Sequence, residues 1–211
     1  MELGIILFSL LALAQSRLID LSCKQIKGFV DGHNMRRLRL AKGEVYNQPA
    51  ASEMKFMMWD AELAAKAANW AAKHKFIHNP NKKIASNRFT TGENLYMYST
   101  TDRSYTLDPS SALDSWFDEY KDYTFAPLTA RDFDGSRDEQ IGHYTQMAWA
   151  DTTYVGCAVS EKFENGWKKI LVVCNYGPSG NYLGRTPYRP GSPSGSLVCG
   201  TQDCRRPYGK C

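Results

Sequence analysis

Apolar residues recur at helical spacing in several stretches of the chain and crowd into strand-like runs in two others. From Gln25 to Ala41, apolar Ile26, Phe29, Val30 and Leu38 alternate with basic Arg36, Arg37 and Arg39. Gly43 follows where a C-cap glycine belongs, so the segment reads as a first helix. Asp60 is placed to cap a second, Ala61 to His74, in which Leu63, Ala67, Trp70 and His74 recur every three or four residues and alanine supplies propensity. The polar stretch from His78 to Arg103 reads as mostly loop. A third helix opens at Asp108-Pro109, a capping residue followed by proline at the first helical position. It runs through Leu113, Trp116, Phe117 and Tyr120, with Glu119 at the inner edge of the apolar stripe. A short helix over Ile141 to Ala150 sets His143 and Met147 on one face.

Two strands, Tyr154 to Ser160 and Lys169 to Asn175, flank Asn165-Gly166, a pair suited to the positive φ angles of a two-residue hairpin turn. Opposed residues in such a hairpin keep a constant sum of positions. Cys157 is therefore predicted to face Cys174, in a non-hydrogen-bonded pair whose Cα atoms lie about 4.5 Å apart, within disulfide range. Ile170 and Val172 point to one side of the second strand, Leu171 and Val173 to the other. A sheet apolar on both faces needs cover on both, which predicts an α/β fold, a three-layer α-β-α sandwich.

The N-terminus sets the compartment. Leu3 to Ala14 is an apolar run of leader length, too short to span a bilayer, and small residues follow where a signal peptide over 1–16 would be cleaved. All six cysteines, Cys23, Cys157, Cys174, Cys199, Cys204 and Cys211, lie beyond it, and their even number predicts three disulfides in a secreted, extracellular protein. With the hairpin pair assigned, the other four leave three connectivities open. No CxxC pair offers a zinc ribbon or redox motif. The 211 residues allow one main domain, and 26 basic against 22 acidic residues spread along the chain exclude the concentrated face of a nucleic-acid binder. From Arg185 the composition turns to Pro, Gly and Ser. This tail, 185–211, carries five basic residues against Asp203 and is too small for its own core. It is expected to form a compact basic knob whose removal leaves the sandwich, 23–184, folded.

Four ordered motifs then narrow the field: Gly92-Glu93-Asn94-Leu95, Trp116-Phe117-Asp118-Glu119, Gly142-His143-Tyr144-Thr145-Gln146-Met147-Ala148-Trp149, and Val173-Cys174-Asn175-Tyr176-Gly177-Pro178 with Ser179-Gly180-Asn181. In this order they resemble the CAP superfamily of cysteine-rich secretory proteins, venom allergens and plant pathogenesis-related proteins, over about residues 25 to 184. His33-Asn34 with Arg36-Arg37 is similar to the family's first-helix motif.

The resemblance implies the CAP fold and a surface cleft holding two histidines and two glutamates, which map to His78, His143, Glu93 and Glu119. Imidazoles and carboxylates can ligate a weakly bound divalent metal such as zinc, or work as acid and base. A metal-dependent hydrolase is the third choice, since no Gly-x-Ser-x-Gly elbow occurs and every cysteine is expected to be oxidised. Likeness to venom or salivary members implies a non-enzymatic, monomeric protein whose partner is an extracellular or membrane target such as an ion channel. The tail is much shorter than the cysteine-dense domain usual in channel-blocking relatives. The alternative is a carrier of sterol or fatty acid, drawing on Trp116, Tyr120, Tyr123 and Phe125; loop-anchoring is the better reading of these aromatics. His33 reads as a structural hydrogen-bonding residue and His74 as a polar helix end.

Overall fold

The computed structural model describes residues 15–136 and 138–211, so the expected leader lies outside the described residues but for Gln15 and Ser16. Along the chain run β1 (Arg17–Ile19), α1 (Cys23–Lys42), β2 (Met58–Trp59), α2 (Ala61–Ala71), β3 (Gly92–Thr100), α3 (Pro109–Phe117), α4 (Gly142–Met147), β4 (Tyr154–Glu164) and β5 (Trp167–Gly177). The strands form one sheet in the order β1-β4-β5-β3, all antiparallel, and β2 pairs in parallel with the start of β4.

Local chemistry sets the helix ends. Ser22 and Gln25 make a reciprocal capping box, so α1 begins two residues before the periodicity becomes visible. Gly43, at φ 72°, closes it as anticipated, with its N–H on the carbonyls of Arg39 and Leu40. Helix α2 stops at Ala71, short of His74. Lys73 and His74 fold back on the carbonyls of Trp70 and Ala71, and His74 turns left-handed at φ 49°. Helix α3 likewise ends at Phe117, and a 3-10 turn over Asp118–Lys121 carries Glu119.

The hairpin register is as predicted. Cys157 pairs with Cys174, no bulge intervenes from Tyr154↔Gly177 to Glu164↔Trp167, and the cysteines are bonded with their Cα atoms 4.1 Å apart. The expectation of loop from His78 to Arg103 is wrong over its second half. Gly92–Thr100 pairs along its whole length with β5. Only Leu95 and Met97 mark it as apolar in alternation, because an edge strand packs fewer of its side chains.

Both sheet faces are covered, giving the three-layer sandwich. On one side Cys157, Val159, Ile170, Val172, Cys174 and Tyr176 join Phe29, Leu40, Leu113, Trp116 and Tyr144 in the larger core. On the other, Ala158, Leu171, Val173 and Leu95 pack against Ala67, Trp70 and Ala71 of α2. Helix α2 can settle this closely because β4 carries Gly156, where an added Cβ would lie 2.2 Å from the Ala64 backbone nitrogen. At full burial His33 ties α1 to β5, its ring nitrogens meeting the Phe29 carbonyl at 2.7 Å and the Tyr176 hydroxyl at 2.9 Å. Burial pushes its pKa down to about 3.

The tail is fastened to the sandwich. Cys211 bonds to Cys23 at the start of α1, and Cys199 to Cys204, which is one of the three connectivities. Tyr188 is buried and its hydroxyl donates to the Pro49 carbonyl. Further along, Phe56 and Trp59 donate their N–H groups to Val198 and Pro207, and the Tyr208 hydroxyl donates to Asp31. The tail spends its backbone on the sandwich because it has no core of its own.

Two outcomes follow from this packing. Truncation after Gly184 removes Tyr188 and a crosslink spanning 188 positions, worth about 5 kcal/mol in chain-entropy terms. Thermal unfolding followed by circular dichroism should show a far lower midpoint; a midpoint within a few degrees of the full chain would mean the tail is dispensable. The second concerns acid. A folded-state pKa depressed below the free value contributes stability above about pH 6.5 that is lost as pH falls towards 3, by at most ~1.4 kcal/mol per pH unit. Urea midpoints between pH 6.5 and 4.5 should therefore fall more steeply for the wild type than for His33→Gln, and equal slopes would refute this linkage.

Candidate functional site

Two carboxylates organise the site, each bonded to one histidine. Glu93 stands near the start of β3 with its side chain 2% exposed. Its Oε1 accepts from the His78 ring at 3.0 Å and from the Asn79 N–H at 2.8 Å, and its Oε2 accepts from Asn175 Nδ2 at 3.1 Å. Burial alone would raise the pKa of Glu93, but the donors from His78, Asn79 and Asn175 outweigh it and hold the group below its usual value.

Glu119 works from outside the helix it supports. Helix α4 has only six residues, and Ile141 at its N-cap position offers no side-chain oxygen. Glu119 Oε2 accepts from the N–H groups of His143 and Tyr144 at 2.9 and 3.0 Å, and Oε1 takes the His143 ring Nδ1 at 2.5 Å. A carboxylate on the orphan N–H groups of a helix start also favours the helix dipole. The Asn94 side chain donates to the His143 carbonyl and that of Asn181 to the Gly142 carbonyl, locking the turn in place.

Both histidines meet their carboxylate through Nδ1. A carboxylate only accepts, so Nδ1 is the donor in each ring and Nε2 is the nitrogen left to face a ligand. His78, Glu93 and His143 line a cleft of about 480 Å³, with Asn94, Phe133 and Asn181 among its walls. Glu119 sits behind His143, so the four residues expected from the motifs converge here, three as lining and one as support. Among the described residues no group of three or more His, Cys, Asp or Glu could hold a metal ion. A larger, more open groove of about 930 Å³ runs beside the tail, but it contains no histidine and its Asp151 is taken by Lys55 and Arg185.

The other candidates resolve differently. Trp116 is buried and donates to the Leu95 carbonyl. Tyr120 packs on Phe117 and Tyr144, Tyr123 on Phe125 and Tyr144, and Phe125 on Tyr188. Their faces are spent on one another, which anchors the loop after α3. His74 bonds Ser160 Oγ at 2.8 Å and stands apart from the cleft.

Sequence reasoning did not assign two residues that hold the site. Asn175 reaches Glu93 because the two are direct partners across β3 and β5, a signal that becomes readable only once β3 is recognised as a strand. Arg37, wholly buried, donates Nε to the Lys55 carbonyl, Nη1 to those of Met147 and Trp149, and Nη2 to those of Ala150 and Thr152, all within 2.8–3.1 Å.

Comparison with known proteins agrees with this architecture. The profile of the Cysteine-rich secretory protein family (CAP) matches residues 30–176. A venom allergen 5 of Rhynchium brunneum is 36% identical over 157 residues, covering 74% of this chain and 67% of its own. A venom allergen 3 of Solenopsis invicta is 34% identical over 165 residues, 75% of this chain and 69% of its own. The crystal structure of NaASP2 with Zn2+ superposes with a TM-score of 0.70 at 30% identity, over 84% of this chain and 97% of that one. The chain belongs to the CAP family of cysteine-rich secretory proteins.

Proposed function

We propose that this is a secreted, venom-type or salivary-type CAP protein that acts outside the cell by binding a membrane or extracellular target, such as an ion channel, and not by turning over a substrate. The likeness to two venom allergens and three disulfides suited to an oxidising compartment support the setting. The observation that carries the non-catalytic reading is the commitment of both carboxylates. Glu93 holds the 78–79 turn and Glu119 holds the start of α4, so neither is free to take a proton from a substrate. No cysteine among the described residues is free as a nucleophile. The sterol or fatty-acid alternative would need Trp116, Tyr120, Tyr123 and Phe125 open, and their packing gives it no support.

A loosely held divalent ion is the ligand we propose for the cleft. Nε2 of His78 and of His143 would hold it and solvent would complete its shell, since a closed zinc site needs more protein ligands. A bound ion would supply a positive centre for an oxygen ligand of the target. Glu93 and Glu119 orient the two rings, the arrangement expected of carboxylates behind metal-binding imidazoles.

Recordings from membranes expressing voltage-gated channels should show current reduced by the purified protein, while ester and peptide substrates show no chelator-sensitive hydrolysis; zinc-restored turnover would reverse the reading. Calorimetry addresses the ion. His78→Ala and His143→Ala should each weaken zinc binding at least about tenfold. Equal zinc affinity in all three proteins would reject the site.

A further inference from the structure

The connection from α2 to β3 has an unusual charge pattern. Between Leu63 and Gly92 the chain holds Lys66, Lys73, Lys75, Lys82, Lys83 and Arg88 and no Asp or Glu. Two of the six are used internally: Lys66 donates to the carbonyls of Asn81 and Lys83, and Arg88 pairs with Asp60 and Glu62. Lys73, Lys75, Lys82 and Lys83 are exposed, and none has a carboxylate partner among the described residues.

The same connection presents two large apolar side chains to water. Phe76 is 55% exposed and Ile77 58%, side by side. They are held there by the fold. The left-handed turn at His74 directs the chain away from α2, with the His74 ring anchored on Ser160, and Trp70 Nε1 donates to the Ile77 carbonyl at 2.8 Å. The next residue, His78, is fixed to Glu93. Lys75 directly precedes Phe76, and around Trp70, which holds the Ile77 carbonyl, Lys73 lies over the ring at 4.3 Å and Lys83 lines the adjoining hollow.

We infer that this Phe76-Ile77 tip with its rim of lysines docks the protein on anionic phospholipid membranes, the apolar pair entering the headgroup boundary and the ammonium groups meeting lipid phosphates and carboxylates. An apolar tip ringed by cations is the signature of interfacial binding, in which buried apolar area and attraction to anionic lipid act together. A sulfated polysaccharide would engage the lysines but would leave Phe76 and Ile77 in water. The apolar pair therefore selects the bilayer. Because the tip leads directly into His78, docking would bring the cleft close to the membrane surface.

Co-sedimentation with vesicles tests the assignment, using phosphatidylcholine alone and phosphatidylcholine with one-third phosphatidylserine. The full-length protein should bind only the anionic vesicles, and less so as salt rises. Lys75→Ser and Lys83→Ser should each weaken binding about fivefold, the equivalent of ~1 kcal/mol per cation near the surface. The double variant Phe76→Ser, Ile77→Ser should weaken it at least about tenfold, with an unchanged melting temperature because both side chains are exposed. Absence of vesicle binding at low salt would overturn the proposal. So would equal binding by the serine pair, or retention on heparin without any affinity for vesicles.

Discussion

A single buried cation sets where the site can be. The Arg37 guanidinium has five N–H groups, lies out of water, and satisfies all five on backbone carbonyls from two separate parts of the chain. Burial lowers its pKa to about 9, still above neutral, so the charge persists. Four of the five carbonyls belong to the end of α4 and the turn that leads into β4, where the negative end of the helix dipole favours a cation. The fifth, on Lys55, fixes the segment leading into β2. Either half of this arrangement without the other would be costly, since a buried unpaired guanidinium or a set of orphaned carbonyls loses the hydrogen bonds it had in water.

The consequence reaches the cleft through a very short helix. Six residues cannot sustain a helix on propensity alone. Helix α4 persists because Glu119 occupies its first N–H groups and Arg37 the carbonyl of its last residue, Met147, one charge at each end, each of the sign the dipole favours. His143 is therefore placed by partners outside α4, and its ring by the same Glu119 that holds the backbone. Glu93 does the corresponding work across the cleft, where strand pairing brings Asn175 to it and a turn brings His78. The two histidines thus have carboxylates that are structural first. This supports the binding role proposed for the cleft.

Legibility in the sequence followed how local the determining chemistry was. The Asn165-Gly166 turn fixes the register of twenty-two strand residues by itself, so the Cys157–Cys174 bridge could be placed in advance. Helix cores were visible from their periods. Helix ends were less so, because α2 and α3 tighten into turns under the pull of Ser160 on His74 and of α4 on Glu119. Strand β3 was missed because Glu93, Asn94, Ser99 and Thr100 look like loop residues when their pairing partners lie 68 to 82 positions away. The four cleft residues came from resemblance alone, being scattered over the chain and joined only by the sheet and α4. The tail's role was hidden too, since cysteine spacing cannot say that Cys211 returns to Cys23, nor that Tyr188 fills the core.

The most direct test of this account is amide hydrogen exchange in Arg37→Lys. Lysine keeps the positive charge but offers three donors from one point, which cannot reach five carbonyls spread over two segments. The account predicts that the α4–β4 turn opens locally: amides of Ala148, Ala150 and Thr152, all hydrogen-bonded in the native fold, should exchange at least about tenfold faster, while those of the β4–β5 ladder keep their protection. Unchanged exchange across this turn would contradict the account, because it would mean that α4 and the cleft it carries are held in place without the five-carbonyl clasp.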